Sequence, residues 1–164
     1  MTLLRIASLA ALLLGAGEAV AEMTHKNFGS WSIDCDTEMK SAPGSCVIRQ
    51  KKHVREDQTQ WAMLEIRHSD SGLVLEIYTS PGARFGGHVT LGYVKGGYGL
   101  LPIQCDAKAC KGEWSLGAAE IQKLRASEGV SVGFNQSADI GWRVLFTIAD
   151  FSSALEELAR LDPR

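Results

Sequence analysis

Four cysteines stand in two close pairs, Cys35 with Cys46 and Cys105 with Cys110, and what they can do depends on the compartment the chain enters. Residues 1–21 point to that compartment. Arg5 supplies a positive charge, the run from Ile6 to Ala16 is apolar apart from Ser8, and Ala19-Val20-Ala21 is a small-residue cleavage pattern. This reads as a secretory signal peptide, with cleavage expected after Ala21 and a single mature domain over 22–164. The apolar run is too short to cross ~30 Å of hydrocarbon as a helix, and no later run is longer. No cysteine flanks the cleavage site to take a lipid, and no Arg-Arg pair precedes the apolar run. The expected location is the periplasm or outside the cell. An even number of cysteines in an exported chain reads as two disulfides.

Three connectivities are open. Proximity along the chain favours Cys35–Cys46 and Cys105–Cys110, each spanning a turn (Ala42-Pro43-Gly44 in the first, Ala107-Lys108 in the second). Loop entropy is worth roughly 2–3 kcal/mol for each, but it rewards longer loops more and so does not choose the pairing. The alternative joins Cys46 to Cys105 and Cys35 to Cys110. It follows the Cys…Trp…Cys order of antibody domains through Trp61, although Ile103 stands where the tyrosine corner would be. Neither pair has the C-x-x-C spacing of zinc or redox sites.

The mature chain alternates apolar and polar residues in short runs, which is the period of a half-buried strand. Strands are expected over 28–34, 45–52, 61–68, 73–79, 88–94, 98–104, 110–116, 130–134 and 142–148. Ser69-Asp70-Ser71-Gly72 and Gly96-Gly97 supply hairpin turns, and Pro102 marks an edge or a strand end. Helical spacing occurs twice. Ala118, Ile121, Gln122 and Leu124 form one stripe between residues 117 and 127. Leu155, Leu158 and Ala159 form another, preceded by a capping-box pattern at Ser153 and Glu156. Eight or nine strands with frequent turns indicate a mainly β chain, a β-sandwich with two short helices.

Composition removes several function classes. Apolar residues at 45% and charged residues at 22% are globular usage, and a net charge of −2 gives no global case for nucleic acid or anionic membrane. Gly129-Val130-Ser131-Val132-Gly133 matches G-x-S-x-G, but it sits in a strand pattern and no histidine follows it, so no nucleophile is assigned. His25, His53, His68 and His88 are scattered without metal-ligand spacing. Seven glycines between Gly82 and Gly99 form no phosphate-binding pattern and suit bulges and turns. Glu65 and Glu76 fall on outward positions of a hairpin and are expected to be solvated. No catalytic, cofactor or metal residue is therefore assigned.

Two surface features remain. Arg49, Lys51, Lys52 and Arg55 form a basic run at a hairpin tip, able to meet anionic lipid head groups or an acidic partner. Tyr93 and Tyr98 flank the Gly96-Gly97 turn of a glycine-rich hairpin. Exposed aromatic side chains anchor interfaces, and Trp31, Trp61, Trp114 and Trp142 serve either that purpose or the core.

A set of short motifs recurs in order along the mature chain: Phe28-Gly29-Ser30-Trp31 running into Cys35, Cys46-Val47-Ile48-Arg49-Gln50, Leu101-Pro102-Ile103-Gln104-Cys105 with Ala109-Cys110, the helix from Ala118 to Leu124, Phe134, and Asp150-Phe151-Ser152-Ser153-Ala154-Leu155. In these the chain resembles the invasion-associated locus B family of bacterial exported proteins. The segment from Pro81 to Gly99 is shorter and richer in glycine than the family pattern. The resemblance implies an immunoglobulin-like sandwich, an envelope location, mainly in alphaproteobacteria, and disulfides Cys35–Cys46 and Cys105–Cys110. It brings no catalytic motif and no cofactor.

The resulting expectation is a non-enzymatic envelope protein that acts by contact with an unidentified envelope or host protein. An envelope hydrolase would need a pocket with convergent polar groups. A carrier of small ligands or lipids would need a cavity.

Overall fold

The computed structural model describes residues 24–36, 45–54, 59–94 and 96–163. The signal peptide read at 1–21, the turn at 42–44 and Arg55 lie outside them. The described residues form β1 (Thr24–Phe28), β2 (Trp31–Cys35), β3 (Cys46–His53), β4 (Trp61–Ser69), β5 (Gly72–Thr79), a 3-10 turn (Pro81–Arg84), β6 (Phe85–Tyr93), β7 (Tyr98–Pro102), β8 (Gln104–Cys105), β9 (Cys110–Leu116), α1 (Ala118–Ala126), β10 (Gly129–Asn135), β11 (Gly141–Thr147) and α2 (Phe151–Leu161). The strands make two antiparallel sheets, a larger one in the order β1-β2-β3-β4-β5-β9-β8 and a smaller one in the order β11-β10-β6-β7. β11 lies over β3 and β7 over β9, while α2 packs on β1, β2 and β3. The smaller sheet thus covers one part of the larger, and α2 covers the rest. A β-sandwich with two helices is what the sequence predicts and what the chain forms.

Strand alternation builds the core. Trp31, Ile33 and Cys35 of β2, Cys46, Ile48 and Gln50 of β3, and Ala62, Leu64 and Ile66 of β4 all point inward and are buried. From the smaller sheet come Val89, Leu91, Val130, Val132, Phe134, Val144 and Phe146, and from α2 Phe151, Ala154, Leu155 and Leu158.

Gln50 is the polar exception, 2% exposed inside the sandwich. Its amide nitrogen donates to the Thr147 carbonyl at 3.2 Å and its oxygen accepts from the Thr147 N–H at 3.2 Å. Thr147 ends β11, an edge strand, so a side chain of one sheet replaces the missing neighbour of the other. The Trp31 indole donates to the same carbonyl at 3.1 Å, and its ring lies 5.3 Å from that of Phe151, the first residue of α2.

Both disulfides join directly opposed residues of neighbouring strands, Cys35 to Cys46 across β2 and β3, and Cys105 to Cys110 across β8 and β9. The Cα atoms are 4.0 and 3.9 Å apart. Neither bridge crosses between the sheets, which removes the antibody-like pairing.

Several boundaries differ from the sequence expectation. The run from 28 to 34 is not one strand but the β1–β2 hairpin, turned at Gly29, whose φ of +57 suits glycine and where a Cβ would collide with the Asp150 carboxylate. The run from 98 to 104 divides at Ile103, where the chain passes from the smaller sheet to the larger. The capping box at Ser153 is absent: α2 begins at Phe151, after Asp150 in the left-handed region at φ 62, because packing on Trp31 starts the helix earlier. Ala159 is exposed, and Phe151 and Ala154 complete the buried stripe instead. In α1 only Leu124 is buried.

Replacing Gln50 with Leu keeps the volume but leaves the Thr147 N–H unpaired, and is expected to cost roughly 1–3 kcal/mol in a urea unfolding titration. An unchanged midpoint would show that the amide holds nothing. Removing one disulfide by a Cys35→Ser, Cys46→Ser double substitution should cost about 2–3 kcal/mol while the sandwich still folds, since the bridge lies within one sheet; near-UV circular dichroism and the unfolding midpoint check this.

Candidate functional site

The outer surface of the smaller sheet has small residues in its middle and large ones at its margins. With Val130, Val132 and Phe134 pointing inward, β10 presents Ser131, Gly133 and Asn135 outward; by the same alternation β6 presents His88, Thr90 and Gly92. The register aligns Leu145, Ser131, Gly92 and Tyr98 in one cross-strand row and Arg143, Gly133, Thr90 and Leu100 in the next. The central residues are too short to fill the surface and leave a trough of about 460 Å³. Tyr93, Tyr98, His88, Asn135, Trp142 and Arg143 stand around it. The β6–β7 turn, with Gly96 and Gly97, closes one end.

Outside the trough the margins are apolar. Leu100 is 61% and Leu145 54% exposed, and Phe85 and Ile140 stand out at the far end of the same sheet. With Tyr98, at 79%, these are the large hydrophobic side chains that the described residues expose most. All five belong to the smaller sheet or to its β10–β11 turn.

Several polar groups of the trough are available, while the Trp142 indole donates to Gln136 Oε1 at 3.2 Å. His88 Nδ1 lies 2.7 Å from the Gly86 carbonyl, so in the neutral ring Nδ1 carries the proton and Nε2 is left as an acceptor. Arg143 makes no hydrogen bond or ion pair with another described residue. Ser131 Oγ reaches only the Gly92 carbonyl, at 3.4 Å. His88 lies four residues before Gly92 on β6, about 13 Å away, so Ser131 has no base beside it and the G-x-S-x-G match is a run of strand. Burial and the nearby Glu120 carboxylate raise the Tyr93 pKa and keep the hydroxyl protonated.

The outer surface of the larger sheet is built differently. Glu65 and Glu76 do face outward, but they are not solvated. Glu76 is 2% exposed, beneath Arg67, Lys111 and Tyr78. Arg67 Nε donates to Glu76 Oε1 at 3.0 Å, Lys111 Nζ to the same oxygen at 2.8 Å, and the Tyr78 hydroxyl to Oε2 at 2.7 Å. Burial opposes the charge, yet these three donors outweigh it and hold the Glu76 pKa at about 2. Burial pushes Glu65 upward, against the pull of Arg49 and with the help of Glu76. Glu76 is thus a fully engaged carboxylate, and neither acid lines the trough.

The residues singled out in the sequence divide between the two sheets. Tyr93 and Tyr98 come together at the trough. Arg49 and Lys51 lie on the outer surface of the larger sheet, whereas Lys52, one position out of phase, belongs to its inner side. Arg49 is engaged by Asp34 at 3.2 Å and Glu65 at 3.0 Å, and the Lys51 ammonium stands 4.8 Å from the Trp61 ring centroid. Thr90, Gly92, Asn135 and Arg143 were not singled out, and Gly133 was met only within the G-x-S-x-G match. The signal was there, in the small residues at outward positions of two strands, but it gains meaning only once β6 and β10 are neighbours.

Lowering pH from about 4.5 towards 2 should destabilise the fold. Glu76 has a lowered pKa, so its contribution is full above the unfolded value of 4.5 and is lost as pH falls through the folded value near 2. A Glu76→Gln variant is expected to be less stable at neutral pH and to show a flatter acid limb, measured by chemical unfolding at several pH values. Glu157, also held at about 2 by hydrogen bonds from Arg160 and Lys26, leaves some slope.

The family pattern described as Invasion associated locus B (IalB) protein matches residues 31–159. Among solved structures, the crystal structure of invasion associated protein B from Bartonella henselae is similar, with a TM-score of 0.69 and 18% identity over 86% of this chain and 99% of that one. No curated protein sequence matches.

Proposed function

Since the chain belongs to the invasion associated locus B family, we propose that it is an exported, non-enzymatic envelope protein that acts by protein–protein contact through the outer face of its smaller sheet. The observation that carries this is the gathering of Phe85, Tyr98, Leu100 and Leu145 on that one sheet, with Ile140 in its β10–β11 turn. Scattered exposed leucines are ordinary, but a shared face of them marks a docking surface. Tyr98 at its edge is the residue type that anchors interfaces. Export is supported by the signal-peptide pattern of residues 1–21, cleaved after Ala21, and by two disulfides, which persist in oxidising compartments. No helix among the described residues is long and apolar enough to cross a membrane. The mature domain, 22–164, then works in the periplasm or after secretion, on an envelope or host protein. Of the two sequence candidates, the Tyr93–Tyr98 hairpin borders this face; of the basic set, Arg49 and Lys51 lie on the outer surface of the other sheet, Lys52 on its inner side, and Arg55 outside the described residues.

The test is crosslinking in cells with the tagged protein, followed by mass spectrometry. A Leu100→Ser, Leu145→Ser double variant should lose the proteins that the wild type captures, and Lys51→Glu should keep them. An identical capture set from the double variant would refute the assignment of this face.

A further inference from the structure

Going beyond protein contact at the margins, we infer that the trough at the centre of this face is a binding site for an acidic oligosaccharide. The fold does not require the opening. Gly133 has no left-handed φ, and a Cβ there would come no nearer than 3.5 Å to Thr90, an ordinary contact. A glycine inside a strand weakens it and is kept where a ligand or another backbone comes close. Gly92 differs, because a Cβ at that position would press on Ser131 Oγ at 3.1 Å. Space at 133 is therefore left by choice of residue rather than by packing, and the volume of about 460 Å³ is in the range of small-molecule sites.

The lining selects the ligand. Around the opening stand the Thr90 hydroxyl, the Asn135 amide, His88 Nε2, the Tyr98 hydroxyl and the Arg143 guanidinium, none of them bonded to another described residue. Sugar hydroxyls both donate and accept, and so match isolated groups of this kind. Tyr98 offers an exposed flat ring to the C–H face of a pyranose. No carboxylate lines the trough among the described residues, and Arg143 is an unpaired cation, so the complementary charge is negative. An extended peptide fits less well. The floor belongs to the β10–β6 ladder, whose backbone groups already pair with each other, and a peptide laid across it would leave its own unpaired. Arg143 on β11 and Tyr98 on β7 are three strand spacings apart, about 14 Å, which calls for several linked sugars.

Isothermal titration of the full chain with tetragalacturonate, tetramannuronate and a hyaluronan tetrasaccharide tests this, with maltotetraose as the neutral control and hexaglutamate as the acidic peptide. At least one acidic sugar should bind roughly tenfold or more tightly than maltotetraose. Gly133→Leu should abolish that binding with the melting temperature unchanged. Arg143→Gln, an exposed position that keeps the decision open should the leucine variant not fold, should weaken it roughly tenfold. The Leu100→Ser, Leu145→Ser variant lies outside the trough and should bind sugar as the wild type does, which separates this site from the protein-contact reading. Absence of binding to all three acidic sugars, binding indifferent to both trough variants, or hexaglutamate binding with the same variant dependence would each overturn the inference.

Discussion

The amide of Gln50 joins the two layers of this protein. A sandwich is normally held by apolar contact, which is strong but not directional. Here one buried side chain supplies a donor and an acceptor to both backbone groups of Thr147, where β11 has no strand beside it. A buried backbone group without a partner costs about as much as a lost hydrogen bond, so the arrangement is specified as well as stable. The Trp31 indole shares the same carbonyl, and its ring receives Phe151, so the end of β11, the left-handed turn at Asp150 and the start of α2 are positioned together. The disulfides play no part in this joint. Each reinforces a pair of neighbouring strands, and the association of the sheets rests on packing and on the hydrogen bonds of Gln50 and Trp31 to Thr147.

The two outer surfaces differ in how their polar groups are used. On the larger sheet the charges satisfy one another: Glu76 under Arg67, Lys111 and Tyr78, and Arg49 between Asp34 and Glu65. On the smaller sheet the Thr90, Asn135, Tyr98 and Arg143 side chains around the trough are bonded to no other described residue, and large apolar side chains stand exposed beside them. One surface is closed on itself, and the other is left with capacity to bind. That contrast, rather than any catalytic constellation, gives a physical basis for reading the molecule as a binding protein.

Much of the architecture was legible along the chain. Alternation located most of the strands, Pro102 marked the end of an edge strand, and chain proximity favoured the disulfides that form. The errors have physical causes. β1 is polar and almost wholly exposed, so it carries no apolar alternation and is held by its hairpin with β2. Ser153 looked like a cap because the pattern is local, whereas Phe151 begins the helix through a contact with a residue 120 positions earlier. Glu76 was placed on the correct side of its strand, but Arg67 of β4 and Lys111 of β9 engage it together with Tyr78, and no reading of β5 alone contains those two.

What the sequence determined by itself is therefore what short-range patterns encode: strand periodicity, turns, two helices and cysteines close enough to pair. Only the tertiary structure decided that β6 lies beside β10, that the chain changes sheets at Ile103, and that Gln50 meets Thr147. These contacts bring together residues about forty to a hundred positions apart, and their selection depends on the packing of the whole core rather than on any local preference. The trough exists only because that choice sets Gly133 and Ser131 of one strand against Thr90 and Gly92 of the other.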